Sequence, residues 1–261
     1  MVKTVKKAVV PIAGLGTRFL PLSKVLPKEF WPLVDKPVIQ YIIEETLISG
    51  IKDVIFVSRP GKKMILDYLK GDISFTNVFQ KKPLGDGHAV LQAKSLIKNE
   101  PFAVMFGDDV VESKMPCLKQ LLKIFKKYQR PVLALYRLPR NQLPFYGIVG
   151  VKKIGKRLYE IKKIVEKPEI SQAPSNLTIV GKYILTPDVF NYLEKEKGNA
   201  KKEIILADAL MAMIKDGKKV FGLEFEGKWL ECGNKLAFLR SNLYLCLKHP
   251  EFGRHLKKLL K

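Results

Sequence analysis

Cysteine is scarce in this chain. Its three cysteines, Cys117, Cys232 and Cys246, form no C-x-x-C pair, and an odd number does not suggest a disulfide framework. A reducing, cytoplasmic setting is expected. Histidine is equally sparse: His88 stands far along the chain from His249 and His255, so no histidine metal cluster is evident, and His88 is read as structural. No apolar run approaches the ~18 residues needed to cross a membrane. Lys3, Lys6 and Lys7 ahead of Ala8–Ala13 faintly imitate a signal peptide, but the run is short and leads into Gly14 and Arg18 rather than a cleavage site. Internal repeats and low-complexity linkers are missing too. Acidic residues are outnumbered: 47 Lys and Arg face 25 Asp and Glu, for a net charge of +22. Such an excess raises the possibility of nucleic acid. The lysines are scattered, however, as at Lys62–Lys63, Lys126–Lys127, Lys152–Lys153, Lys201–Lys202 and Lys218–Lys219, with no RNA-binding or zinc signature beside them. They read as a solvated surface that would draw in anionic substrates at low salt.

What is present is enough for a large core. At 261 residues and 47% hydrophobic, the chain fits one large α/β domain or two lobes. The stretch 8–37 organises the reading. A β-branched apolar run, Ala8 to Ala13, suits a buried parallel strand, and Gly14, Leu15, Gly16, Thr17 and Arg18 follow it directly. Glycines at a strand end let the backbone turn tightly and present N–H groups to an anion. Arg18 and Lys28 add positive charge to a loop stiffened by Pro21, Pro27, Pro32 and Pro37. The chemistry suits a triphosphate cradle, although a basic surface loop is equally compatible. Two common phosphate motifs are excluded. G-x-G-x-x-G would need glycine where Phe19 stands, and a Walker loop would need Ser or Thr after Lys28, where Glu29 stands.

The remaining pattern alternates. Helices are expected over 38–47, 64–69, 89–97 and 117–128, and strands over 53–58, 77–79, 102–106 and 131–136. That rhythm predicts a mostly parallel, doubly wound Rossmann-like sheet with its ligand site at the carboxyl ends of the strands. From about Tyr146 a hairpin is expected (147–151 and 158–166), then strand 177–185, helices 188–194 and 203–215, strand 220–225, and a helical stretch 235–261 broken near Pro250. The expectation is one domain over 1–261. Its first half covers about 1–138, and a smaller, β-rich half with the C-terminal helices covers about 139–261 and caps the first.

The string G-L-G-T-R-x-x-P…P-K-E…P-L-V-D-K-P resembles the signature of the sugar-1-phosphate nucleotidyltransferases, and within them the bacterial uridylyltransferases that act on glucose 1-phosphate. The resemblance runs from about Lys6 to Leu245. It implies UTP and glucose 1-phosphate as substrates, Mg²⁺ as cofactor, no nucleic-acid or membrane partner, and a homo-oligomer, dimer or tetramer. Ala13, Gly14, Leu15, Gly16 and Thr17 would hold the nucleotide. Gln80, before the turn Gly85-Asp86-Gly87-His88, would read the uracil edge, since an amide both donates and accepts. Asp108, at the end of FAVMF, would bind metal with Glu231, where the family usually has aspartate; Asp109 stands behind Asp108. Gly147 would leave room for the sugar, Glu166 would accept from its hydroxyls, Lys167 would neutralise its phosphate, and Val180 and Gly181 would lie beside it. Arg18, Lys28 and Lys167 are the implied catalytic cations. Two departures stand out: Ile205 and Ala207 replace usually polar residues, and the passage from Lys70 to Asn77 is short where relatives carry a helical excursion. A relative using dTTP or another sugar, and a non-catalytic sugar-nucleotide sensor, are the alternatives.

Overall fold

The structure, a computed structural model, describes residues 2–69, 73–196 and 203–260. The first half of the chain supplies β1 (Lys7–Pro11), β2 (Pro32–Leu33), β3 (Lys36–Pro37), α1 (Val38–Ile48), β4 (Asp53–Ser58), α2 (Lys63–Leu69), β5 (Phe75–Phe79), α3 (Asp86–Gln92), α4 (Lys94–Ile97), β6 (Phe102–Met105), β7 (Asp109–Glu112), α5 (Cys117–Tyr128) and β8 (Val132–Arg137). The second supplies β9 (Gly147–Gly155), β10 (Leu158–Glu166), β11 (Leu177–Leu185), α6 (Val189–Lys195), α7 (Leu206–Lys215), β12 (Phe221–Glu224), β13 (Lys228–Glu231), α8 (Lys235–Lys248) and α9 (Gly253–Leu259).

Strand β1 shows why its sequence is an unbroken apolar run. Ala8 and Val10 pack into a core with Ile39 and Ile42 of α1 and Leu118 and Leu121 of α5. Val9 points the other way, into a second core with Val90 of α3 and Leu206 and Leu210 of α7. A strand buried on both faces has no polar side to alternate with. Helices on both faces give the doubly wound arrangement, and β1 lies parallel between β4 and β6 in register, with Lys7 opposite both Asp53 and Phe102.

One nine-stranded sheet, in the order β5-β4-β1-β6-β11-β8-β12-β10-β9, takes strands from both halves. It is mixed. The expectation of a mostly parallel sheet holds for β5-β4-β1-β6 and for β8 beside β12, but β11 runs antiparallel between β6 and β8, and β10 and β9 are antiparallel at the edge. An apolar run tells that a strand is buried, not which way it points. The second half therefore extends the sheet of the first instead of capping it.

Other boundaries shift for local reasons. The helix expected over 89–97 is two, α3 and α4, and it starts early because Gly85, at φ 101°, turns the chain directly into Asp86. The helix expected from Glu203 begins at Leu206. Two short ribbons, β2–β3 and β7–β13, carry no apolar alternation long enough to be read in the sequence. The shortened passage from Lys70 starts outside the described residues. Lys62, expected on a solvated surface, is buried: its Nζ donates to both carboxylate oxygens of Glu29, at 2.8 and 2.9 Å. Lys182 is likewise interior, 2.7 Å from Glu45, whose other oxygen accepts from the Leu118 N–H at the start of α5. The three cysteines are free. Among the described residues no helix is long and apolar enough to cross a membrane.

Candidate active site

The loop after β1 starts while the sheet is still holding it: Ile12 donates to the Val57 carbonyl at 2.8 Å. Gly16 then takes a left-handed conformation (φ 67°), which a side chain would disfavour. Short 3-10 turns over Thr17–Phe19, Leu22–Lys24 and Lys28–Phe30 coil the loop. Phe19 anchors it. Its ring lies 4.4 Å from Trp31 and 6.4 Å from Phe238, edge-on to both, so the glycine loop is tied to helix α8. Arg18 is left exposed. The buried Lys62–Glu29 pair sits beneath, holding the residue next to Lys28.

The turn between β5 and α3 is built around Gly85. A side chain there would collide with the Ile204 carbonyl, and one on Gly87 would crowd Leu193 and the same carbonyl. The close approach is used: Ile204 donates to Leu84 at 2.7 Å, Gly87 donates to Ile204 at 3.0 Å, and the Leu206 N–H reaches Asp86 Oδ1 at 3.0 Å. Gln80 continues strand β5, its N–H donating to Ser58 at 2.8 Å. Its side-chain nitrogen donates to the Gly85 carbonyl and meets His88 Nδ1, both at 2.9 Å. Burial, then the nearby Glu166 charge, push the Asp86 carboxyl up to about 6 against three backbone N–H groups, of Leu206, Gly87 and Asp86 itself, that pull it down.

Asp108 follows β6, and Glu231 ends β13. The ribbon pairs β13 with β7, setting Glu231 opposite Asp109, and the Cys232 N–H donates to the Asp108 carbonyl at 2.8 Å. The carboxylates converge on Gly233. The point where a Cβ would stand there is 3.1 Å from Asp108 Oδ2 and 3.4 Å from Glu231 Oε1. Asp108 is ion-paired with Lys28. Burial works against both charges, but their attraction, joined by Glu29 and Asp109 at Lys28 and by a backbone hydrogen bond and Arg18 at Asp108, outweighs it: the Lys28 amine is held above its ordinary range and the Asp108 carboxyl below it. Glu231 accepts from the Tyr146 hydroxyl and from Asn234 Nδ2 at 3.0 Å. Asp109 stands behind, accepting from Trp229 Nε1 at 2.7 Å and from the Gly181 N–H at 3.0 Å. Burial and the Asp108 charge raise its pKa to about 7. Two hard oxygen donors facing one glycine-lined gap fit a divalent ion that takes its other ligands from phosphate and water. No group of three metal-ligating side chains occurs among the described residues.

Just after β10, Lys167 takes a left-handed backbone (φ 46°), with its N–H donating to the Tyr146 carbonyl at 3.1 Å. Its Nζ is 2.9 Å from Glu166 Oε1. A Cβ on Gly147 would come within 3.0 Å of Glu166 Oε2, so glycine there leaves the carboxylate its place. Val180 is fully buried in β11. Gly181 is packed under Asp109 and Phe106, which a side chain would displace. These two lie inside the sheet, not on a cavity wall.

Two cavities result. One, of about 510 Å³, is walled by Ala13, Gly14, Leu15, Gly16, Thr17, Arg18, Lys28, Gln80, Gly85 and Asp108, bringing together every residue expected to hold the nucleotide. The second, of about 720 Å³, carries Lys167, Tyr146, Glu231, Asn234 and Arg240, and shares Arg18 with the first. Sequence reasoning missed Asp86, Asn234 and Arg240 as wall residues. It also missed the Tyr146 hydroxyl as the partner of Glu231, which no spacing between residues so far apart could announce.

Adjoining pockets that share an arginine and meet at two carboxylates suit a transferase that brings a nucleotide to a second phosphorylated substrate. The model of the nucleotidyl transferase family matches residues 7–246, and the chain belongs to that family. It is 40% identical to a UTP–glucose-1-phosphate uridylyltransferase of Staphylococcus epidermidis, over 99% of this chain and 98% of the relative. With a uridylyltransferase of the same name from Staphylococcus haemolyticus the identity is 41% at the same coverage. Among solved structures it resembles a UDP-glucose pyrophosphorylase complexed with UDP-glucose, with TM-score 0.90, 37% identity, and 94% of this chain and 100% of that one covered. A UTP-bound enzyme from Acinetobacter baumannii gives TM-score 0.85 and 34% identity, over 98% of this chain and 99% of that one.

Proposed function

We propose that the chain is a UTP–glucose-1-phosphate uridylyltransferase, joining UTP and glucose 1-phosphate into UDP-glucose and pyrophosphate. The observation that carries this is the shared wall: a base-reading turn and phosphate loop on one cavity, Lys167 on the other, and Arg18 between. A phosphate oxygen of the sugar phosphate attacks the α-phosphorus, a new P–O bond forms, and the bond to the β,γ-pyrophosphate breaks with its electrons leaving on pyrophosphate. Such a reaction asks for alignment and charge neutralisation more than for a protein base.

The chain's own groups divide that work. Arg18 and Lys28 hold the triphosphate, Gln80 and Gly85 hold the base, and Lys167 steadies the incoming phosphate against Glu166. Asp108 and Glu231 are the residues that would hold Mg²⁺; nucleotidyltransferases of this kind generally use a divalent metal. Bound there, the ion supplies Lewis-acid neutralisation of the reacting phosphates. Lys28 has two partners to choose between, and a triphosphate competes with Asp108 for it. The test is pyrophosphate release across a matrix of nucleotides and sugar phosphates. UTP with glucose 1-phosphate should give the highest kcat/KM, and a matrix led by dTTP or another sugar phosphate would reassign the substrates.

A further inference from the structure

The amide of Gln80 has less freedom than its chemistry allows. The side chain is 5% exposed, and its backbone is fixed by the bond to Ser58. An amide end can be turned over, exchanging oxygen for nitrogen, and only its partners decide which way it stands. Here the decision is unambiguous. The Gly85 carbonyl, 2.9 Å away, can only accept, so the atom facing it must be the NH₂ group. That group's second hydrogen meets His88 Nδ1, also at 2.9 Å, and so Nδ1 must carry its lone pair.

His88 is thereby a neutral ring protonated on Nε2. Burial, which lowers its pKa, favours the same neutral form. Its Nε2 lies 3.3 Å from Gln92 Nε2, which donates to the His88 carbonyl at 3.2 Å; the shorter 2.9 Å approach of Gln80 to Nδ1 sets the tautomer and makes the longer Gln92 approach a contact between two donors. The histidine is itself held, since its backbone N–H donates to the Ile204 carbonyl at 3.3 Å. With both amide hydrogens engaged, Gln80 has only Oε1 left to offer the cavity.

We infer that His88 and the Gly85 carbonyl together lock the Gln80 amide as a pure acceptor, making His88 a positioning residue that selects uracil over cytosine. The inference rests on the uridylyl-transfer reading above. Uracil presents N3–H, which an acceptor welcomes; with the base in the same register cytosine presents a bare N3 lone pair, which repels it, and its donor, N4–H₂, lies one atom further along the edge. To accept cytosine in that register the amide would have to turn over, breaking two hydrogen bonds. Without His88 it would break one. Thymine shares uracil's edge, so the lock does not discriminate against dTTP.

The experiment compares kcat/KM for UTP and CTP in the wild type, His88→Leu and His88→Asn. Losing one of the two restraining bonds should lower the UTP:CTP ratio about tenfold in His88→Leu. Asparagine returns an acceptor near the Nδ1 position, so His88→Asn should keep the ratio within about threefold of wild type. A His88→Leu ratio equal to wild type overturns the inference, whatever happens to overall turnover. A second measurement needs no variant: ¹⁵N spectra of the wild type, with only three histidines, should show one ring in the Nε2–H form at neutral pH and assigned to His88. A proton on Nδ1 of His88 overturns the lock. Absence of UTP turnover in the wild type would instead overturn the uridylyl-transfer reading, and this inference with it.

Discussion

A carboxylate whose pKa rises to about 6 on folding favours the folded state when protonated, and Asp86 is such a group. The sign follows. Its contribution is fully present below its ordinary value near 4 and is lost as pH climbs through about 6, a gap worth about 3 kcal/mol. Glu166 adds to the effect, and Asp208, whose pKa is raised by burial and by Glu166, acts in the same direction. Asn at position 86 keeps an oxygen for the Gly87 and Leu206 N–H groups and carries no charge. Urea unfolding of Asp86→Asn should show a gain over wild type at pH 7.5 and little difference at pH 4.5. Equal losses at both would mean that the carboxylate is needed for packing. At the carboxylate pair, Glu231→Ala should lower kcat about 10²-fold or more, and Glu231→Asp should keep much of the activity with an altered Mg²⁺ requirement. Wild-type rates in Glu231→Ala across a Mg²⁺ titration would make Glu231 a bystander. Lys167→Ala should impair glucose 1-phosphate use while sparing UTP affinity measured by calorimetry; the reverse pattern would reassign the lysine.

At the scale of elements, the glycine loop rests on the buried Lys62–Glu29 ion pair. Lys62→Met strands Glu29, 1% exposed, as an unpaired buried charge, and urea unfolding should show a loss of about 3–5 kcal/mol. The double variant Glu29→Leu with Lys62→Met should recover most of it; no recovery would show that the pair acts through something other than charge. The base turn makes a comparable case. Ala at position 85 would need a positive φ and would meet the Ile204 carbonyl, whereas at Gly14 a Cβ would meet nothing within 4 Å. Gly85→Ala should therefore destabilise by about 1–3 kcal/mol in the same assay, and Gly14→Ala by less than about 0.5.

The elements themselves were largely legible. β4, α5 and β11 match their expected bounds, because buried runs and Gly or Pro stops mark them. So was the gathering of Ala13–Arg18, Gln80 and Gly85 on one cavity, because they cluster in two short motifs. The contacts that tie distant stretches together were not: Phe19 with Phe238, Glu231 with Tyr146, Lys62 with Glu29. Each joins residues whose identities are individually ordinary, and only folding makes them neighbours.

For the whole molecule, the charge of +22 predicts a kinetic effect. kcat/KM for two anionic substrates should fall several-fold between about 0.05 and 0.5 M salt, with kcat at saturation little changed. Random duplex DNA should bind weakly at physiological salt; a micromolar or tighter complex persisting above it would mean that the lysines serve nucleic acid. Topology was the least legible level, since strand polarity leaves no trace in composition. β11 is the strand that matters there. It pairs with β8 at both ends, with β9 at Thr178 and with β6 below Asp108. On the proposed function, both substrates stand on one continuous sheet. A continuous sheet resists bending, so clamping during turnover is expected of the roof: the glycine loop, the turn at Gly85 and the start of α8. Slow steps such as pyrophosphate escape would then answer to changes in those loops, and hardly at all to changes in the sheet beneath them.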